Sequence, residues 1–131
     1  MNFLIDVVRL SQSDKDSLIK IKRKTGVDSW NVLCRWSLTI ALAQSNAVYT
    51  KTLEKRDSIE IKWDTFAGKY EPFYQGLLQI CYLKYTRRYS ELSPNEFFHS
   101  ALSKGISILF RKVSQLGVFA FTDPKVFEDN S

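Results

Sequence analysis

The sequence has 131 residues, of which 44% are hydrophobic and 25% are charged. This is the composition of one ordinary globular domain, and it excludes collagen-like, low-complexity and repeat architectures. No apolar run approaches the roughly 20 residues that cross a bilayer, and the first residues lack the basic start of a signal peptide, so we expect a cytoplasmic protein without a membrane segment. The 19 basic and 14 acidic residues give a net charge of +5, which favours an anionic partner.

The residue types that most often carry chemistry are scarce. Cys34, Cys81 and His99 are the only cysteines and the only histidine. Structural zinc needs about four such ligands at close spacing, and the isolated glycines form no phosphate-binding loop, so neither a metal nor another cofactor is predicted. No catalytic residue is predicted either, because no base lies near either thiol in the sequence. An enzyme that uses the thiol of Cys34 or Cys81 remains an alternative.

The N-terminal segment carries clear signals for a strand and a helix. Residues 6–10 favour a short extended segment before Ser11. Ser11 is a good helix N-cap with the acidic Asp14 three residues later, and Gly26 is a typical stop signal. We therefore predict a short, amphipathic and basic first helix between Ser11 and Gly26.

The second predicted helix is apolar on most of its sides. Asp28 or Ser29 can cap it, and it extends to about Gln44. Such a helix lies in the middle of a bundle or in an interface between copies. We therefore predict a homo-oligomer in which a second copy covers one side of the apolar helix at residues 30–43.

The region after the second helix combines an alternating segment with a helical one. Residues 59–63 alternate as an edge strand does, although an irregular segment fits equally well. Apolar residues then recur every three to four positions, which predicts a third helix from near Pro72 to about Tyr89. Its tyrosines could stack on unpaired bases, but their helical spacing favours the core. These residues are Tyr70, Tyr74, Tyr82 and Tyr85.

A fourth helix is predicted from Ser93, where Pro94 and Glu96 complete a helix start signal, to Gly117. Its predicted buried stripe is Phe98, Leu102, Ile106, Leu109, Val113 and Leu116, opposite Ser100, Ser103, Lys104, Ser107 and Arg111. A flexible acidic tail is expected at about 122–131. The predicted fold is mainly α, a compact bundle of about four helices with a short N-terminal extended segment, in a single domain over residues 1–131.

Basic residues concentrate on the first helix. Lys20, Arg23 and Lys24 lie at positions i, i+3 and i+4 and therefore share one face. Phosphate groups are natural ligands of such a face, since neutralising them releases condensed counterions. The alternative is a solvated helix face that Asp16 partly neutralises.

Three segments together resemble one protein family. KRKTGVDSWNVLCRW at residues 22–36 is preceded by RLS at 9–11 and followed by WDTFAG at 63–68. In this order they resemble the DndE family of DNA sulfur modification proteins, and the similarity is continuous from about Val8 to Leu78. Beyond Leu78 only the general helical character matches.

The resemblance implies a function. DndE is a small, non-enzymatic accessory member of the bacterial machinery that replaces a non-bridging phosphate oxygen of DNA with sulfur, and other subunits of that complex are implied partners. Family members are described as tetramers that bind nicked double-stranded DNA through basic residues. The matching positions here are Lys20, Lys22, Arg23, Lys24 and, more weakly, Arg35.

A second interpretation uses the same residues. An extended segment followed by two helices is also the order of a ribbon-helix-helix transcriptional regulator, whose paired strands enter the major groove. Such a protein would be a sequence-specific dimer. Its base-reading residue would be Arg9.

Overall fold

The computed structural model describes residues 5–44, 54–88 and 92–116. The elements in chain order are β1 (Val7–Leu10), α1 (Gln12–Thr25), α2 (Trp30–Leu42), β2 (Ile59–Lys62), α3 (Trp63–Ala67), a 3-10 turn (Gly68–Tyr70), α4 (Glu71–Thr86) and α5 (Pro94–Leu116). The predicted mainly helical fold is confirmed, with four long helices and a short N-terminal strand. Within the described ranges, no helix is both long and apolar enough to cross a membrane.

The helix boundaries follow the capping residues. At the start of α1, the Ser11 hydroxyl accepts a hydrogen bond from the Asp14 N–H at 3.1 Å, and the Asp14 carboxylate accepts one from the Ser11 N–H at 3.3 Å. Ser93 and Glu96 form the same reciprocal pair before α5, at 3.2 and 3.0 Å. Gly26 ends α1 with φ of 76°, in the left-handed region that glycine tolerates best.

Two elements between α2 and α4 were less well defined by the sequence. Residues 59–62 form a strand, so the edge-strand prediction is confirmed over the irregular alternative. Helix α3 was not predicted, because five residues are too few to show a helical period. Pro72 lies in the first turn of α4 as predicted, and α4 ends at Thr86. Tyr89, Gly117 and the predicted tail lie outside the described residues.

The core is centred on the contact between α2 and α5. A Cβ placed on Gly105 would lie 1.7 Å from the carbonyl oxygen of Ser37, so only glycine allows this approach. The Ser37 hydroxyl donates to the Leu33 carbonyl at 2.8 Å and leaves no unpaired polar group there. One face of α2 is fully buried by its own chain, and its large exposed hydrophobe is Trp36, at 45% exposure.

The predicted polar and apolar faces of α5 are largely correct, with two exceptions. Leu116, placed in the buried stripe, is 61% exposed in the last turn of the helix. Ser100, placed on the polar face, is buried at 7% exposure. Both errors have one cause, since the helical period gives directions around the axis but not which neighbours cover each turn.

Strand β1 pairs with β2 of the same chain, and its other edge is also covered. The pairing is antiparallel, with Val8 opposite Ile61. On the other edge, the Arg9 N–H donates to His99 Nε2 at 3.1 Å, and Arg56 donates to the Arg9 carbonyl at 3.4 Å. In a ribbon-helix-helix protein this strand pairs with the same strand of a second copy. The strand–helix–helix order is present, but here the neighbours of β1 belong to its own chain.

Substituting Gly105→Ala tests the α2–α5 contact. We expect a loss of about 3 kcal/mol or more in the free energy of unfolding, because the new methyl group meets backbone rather than a movable side chain. The control is Gly76→Ala, where an added Cβ meets nothing within 4 Å. The control should gain about 0.5–1 kcal/mol from helix propensity. Equal urea midpoints for Gly105→Ala and the wild type would contradict the proposed contact.

Candidate nucleic-acid interface

The predicted cationic face of α1 lies beside α5. Lys20 and Arg23 are exposed, and Lys24 is half-buried. The Nζ atoms of Lys20 and Lys24 lie 5.7 and 5.9 Å from the ring centroid of Phe110. Lys24 also donates to the Ser114 hydroxyl at 3.3 Å. The ring of Phe110 therefore restrains two of the three cationic side chains. Because they are already restrained, they lose less conformational entropy when an anion binds.

The other two predicted site residues lie apart from this face. Lys22 points towards the start of α2, where its Nζ lies 4.5 Å from the Trp30 ring centroid. Arg35 donates to the Phe66 carbonyl at 3.1 Å and lies 5.8 Å from the Tyr70 ring. The structure thus brings together Lys20, Arg23 and Lys24. Arg35 has a structural contact that the sequence did not reveal.

Acidic residues are absent from the C-terminal half of α1. Residues 17–25 contain four cations and no carboxylate. Asp16, one turn before Lys20, accepts a hydrogen bond from Gln12 at 2.8 Å, towards the start of the helix. The positive charge therefore stays concentrated near the end of α1, where it also complements the helix dipole.

A buried carboxylate fixes the other end of α1. Asp14 is 6% exposed, and its Oδ2 accepts from the Ser11 N–H, from Arg56 at 3.2 Å and from the Ser103 hydroxyl at 2.9 Å. Burial lowers the pKa of Arg56, while the charges of Asp14 and Glu54 raise it. Because α1, α5 and the segment before β2 all meet at Asp14, this group sets the position of the cationic helix.

His99 has a structural role in the same region. Its Nε2 accepts from the Arg9 N–H, so Nδ1 carries the proton and donates to the Asn95 carbonyl at 3.0 Å. Burial lowers the pKa of His99 to about 4, helped by the positive charges of Arg56 and Arg9 and opposed by the bond to Asn95 and by the charge of Asp14. The imidazole is therefore neutral near pH 7, with both ring nitrogens engaged.

Neither thiol is activated. Burial, and secondarily the charge of Asp14, raises the pKa of Cys34 to about 12. Burial also raises the pKa of Cys81, although Lys84 acts in the other direction. Both groups are thus protonated near neutral pH, whereas nucleophilic cysteines have a lowered pKa. Among the residues that the structure describes, no group of three or more potential His, Cys, Asp or Glu ligands could hold a metal ion.

Three of the four tyrosines that the structure describes belong to the core. Tyr74, Tyr82 and Tyr85 are at most 7% exposed, and the Tyr82 hydroxyl donates to the Leu92 carbonyl at 2.7 Å. The core prediction is confirmed for these three. It is wrong for Tyr70, which is 49% exposed because it lies in the turn before α4 rather than on that helix.

Comparison with known proteins identifies the family. The family model described as DNA sulphur modification protein DndE matches residues 7–115. The chain belongs to the DndE family. The resemblance seen in the sequence is thereby confirmed, and the match extends well beyond Leu78, through most of α5. No curated protein sequence matches the chain.

One solved DndE structure shares the fold. The crystal structure of DndE from Escherichia coli B7A, involved in DNA phosphorothioation modification, superposes with a TM-score of 0.58 at 21% sequence identity. The alignment covers 81% of this chain and 97% of the E. coli chain. At this identity the likeness establishes a common fold.

Two residues of the interface were missed from the sequence. Phe110 and Ser114 meet the cations of α1 only because α5 packs beside that helix. The sequence contains no local signal for this contact, since about 90 positions separate Lys20 from Phe110.

The pH dependence of stability tests the role of His99. The unfolded state takes up a proton near pH 6.5, while the folded state does so only near pH 4. Neutral His99 therefore contributes to the free energy of unfolding, and this contribution is fully present above about pH 6.5. It decreases by up to about 3 kcal/mol as the pH falls to 4.

The matched variant is His99→Gln, whose side-chain oxygen can still accept from the Arg9 N–H but does not titrate. Urea unfolding of both proteins at pH 7, 5.5 and 4 separates this effect from that of the carboxylates. We expect the difference in the free energy of unfolding between the wild type and His99→Gln to shrink steadily with falling pH, to the disadvantage of the wild type. Parallel curves for the two proteins would show that His99 has an ordinary pKa.

Proposed function

We propose that this protein is a DNA-binding accessory subunit of the DNA phosphorothioation machinery. The observation that carries the proposal is the surface cluster of Lys20, Arg23 and Lys24, in a helical segment without carboxylates. The family description as a DNA sulphur modification protein and the phosphorothioation role of the E. coli relative supply the biological setting. Other subunits of that machinery are the proposed protein partners.

The proposed mode of binding is contact with the DNA backbone. Lysine and arginine neutralise phosphates and release counterions, which gives affinity without reading the base sequence. Lys22 flanks the cluster beside Trp30. A phosphate at Arg35 would have to compete with the Phe66 carbonyl, so Arg35 contributes least.

We also propose a preference for nicked duplexes, which rests on the family resemblance. A nick removes the continuity of one strand and makes the duplex easier to bend, and easier bending favours a protein that contacts only the backbone. We propose no catalytic role for the chain. The raised pKa values of Cys34 and Cys81 support this, because sulfur transfer through either group would need a thiolate.

We further propose a homo-oligomer, a tetramer by the family resemblance, but for a different reason than the sequence suggested. Helix α4 exposes Phe73, Ile80 and Leu83 at 59, 55 and 51%. Positions i, i+7 and i+10 lie on one side of a helix, so these side chains form an apolar stripe. Such a stripe is typical of a surface that a partner covers.

Paired substitutions on α4 test this assembly. Ile80→Glu with Leu83→Glu should lower the mass measured by light scattering towards that of one chain, because burying a carboxylate in an apolar interface is unfavourable. Ser107→Glu on the exposed side of α5 is the control and should leave the mass unchanged. A wild-type protein that is monomeric at micromolar concentration would contradict the oligomer.

The ribbon-helix-helix regulator is the second candidate. It is disfavoured because the free edge that its strand pairing needs is covered by His99 and Arg56. It makes a distinct prediction: one palindromic sequence would be bound about a thousandfold more tightly than random DNA, mainly through Arg9.

A salt titration on nicked, intact and random duplexes tests backbone binding. The logarithm of the affinity should fall with the logarithm of the salt concentration, and the α1 cluster with Lys22, which can neutralise about three to four phosphates, should contribute roughly −3 to −4 to that slope. The triple variant Lys20→Gln, Arg23→Gln and Lys24→Gln should bind all duplexes weakly and with a flatter slope.

The control for that experiment removes the same charge elsewhere. Lys62→Gln, Lys84→Gln and Arg87→Gln alter exposed cations of β2 and of the end of α4. This protein should retain the wild-type slope. Equal losses in both triple variants would mean that net charge, rather than the α1 cluster, determines binding.

A further inference from the structure

The C-terminal half of α5 carries a second cationic site. A shallow cavity of about 260 Å³ lies between α5 and Gln44, two residues beyond the end of α2. The lining residues are Gln44, Ile108, Arg111, Lys112 and Gln115. Residues 104–116 contain three cations and no carboxylate. Within the described part of the chain, neither Arg111 nor Lys112 is ion-paired.

The lining of this cavity suits a phosphate group. A guanidinium presents a planar pair of donors that matches phosphate oxygens, and an ammonium adds a mobile point charge. The amides of Gln44 and Gln115 supply neutral N–H donors, and Ile108, 9% exposed, lies at the buried side of the site. The volume is below the range of about 300–1,000 Å³ typical of drug-sized ligands, so a group the size of a phosphodiester fits better than a nucleotide.

The packing of α1 and α5 places this site on the same side of the molecule as the α1 cluster. Asp14 contacts Ser103, and Lys24, further along α1, contacts Ser114, further along α5. The two helices therefore run side by side in the same direction. Their cation-rich, acid-free halves lie together at one end.

The directions in which Arg111 and Lys112 point from the axis of α5 follow from two other contacts of this helix. Phe110 faces the cations of α1, and Gly105 faces Ser37 of α2. At about 100° per residue, Arg111 lies on the outer surface between these two contacts, and Lys112 lies towards α2. Packed helices have axes about 8–10 Å apart. This distance is intermediate between the width of the minor groove of DNA, about 6 Å, and that of the major groove, about 12 Å. Cations on α1 and on α5 can therefore meet phosphates of two different strands.

We propose that Arg111 and Lys112, with the side-chain amides of Gln44 and Gln115, form a second phosphate-binding site that holds the DNA strand next to the one held by α1. This inference rests on the proposed function, and it extends the interface from one helix to two. The phosphate is a backbone phosphodiester rather than a free anion, because the site lies beside an existing cationic surface.

The test compares Arg111→Gln with Lys112→Gln, as a double variant, against the control double variant Lys62→Gln with Lys84→Gln. All four side chains are exposed, so both proteins should fold, which circular dichroism checks. Removing two phosphate contacts should make the salt slope on a nicked duplex shallower by about 2. We expect at least a tenfold loss of affinity at 0.15 M salt, with no change in slope for the control.

The outcomes separate this inference from the function on which it rests. If the α1 triple variant loses DNA binding while the α5 double variant keeps the wild-type affinity and slope, the α5 site is wrong and the proposed function stands. If the wild type binds no duplex, both are wrong.

A second readout distinguishes the source of the phosphate. In the NMR spectrum, the side-chain amide signals of Gln44 and Gln115 should shift on adding duplex. Shifts with inorganic phosphate at matched ionic strength, but not with duplex, would identify a free-anion site and overturn the proposal.

Discussion

The carboxylate of Asp14 is the group on which the arrangement of the fold depends most. It caps α1 through Ser11, pairs with Arg56 and accepts from Ser103 of α5. Replacing it would remove the ion-pair partner of the half-buried Arg56 guanidinium and leave the Ser11 N–H and the Ser103 hydroxyl without their acceptor, which would destabilise the fold. A single polar contact thus fixes the start of α1 against α5, and the direction of α1 then places its cations beside Phe110.

The two faces of the molecule serve different proposed roles. The outer surface of α1 and α5 is cationic and free of carboxylates over residues 17–25 and 104–116, whereas α4 exposes the apolar stripe of Phe73, Ile80 and Leu83. Cationic surfaces gain affinity for DNA by neutralising its phosphates, and apolar stripes favour contact with another protein. An assembly through α4 would leave the cationic surface of each copy available, so several copies could engage one duplex. A multivalent contact of this kind gives high avidity from weak individual sites.

Local signals in the sequence identified most of the secondary structure. The capping box of α1, the glycine at its end and the start of α5 are each encoded within four residues, so they could be predicted without knowledge of the fold. The short helix α3 and the exposure of Tyr70 could not, because they depend on how the chain turns before α4. The α2 surface that led us to expect an oligomer is only partly covered by the chain itself: Gly105 allows α5 to approach one face closely, while Trp36 stays 45% exposed, so that expectation stays a prediction.

Some features of the candidate site could likewise be predicted from the sequence, and others depend on the fold. Lys20, Arg23 and Lys24 share a face by helical spacing alone, which the sequence showed. The contacts made by Phe110 and Arg56 bring together residues far apart in the chain, and no local pattern encodes them. Arg111 and Lys112 were visible as adjacent cations, but the cavity beside them forms only when α5 packs near the end of α2.

The most direct test of the two-face arrangement is photo-cross-linking. A benzoylphenylalanine replaces either Ser107, on the outer surface of α5, or Leu83, on the stripe of α4, and each protein is irradiated with a nicked duplex. We expect the probe at position 107 to cross-link DNA and the probe at position 83 to cross-link a second copy of the chain. Cross-links to DNA from position 83, with none from position 107, would contradict the proposed DNA-binding surface.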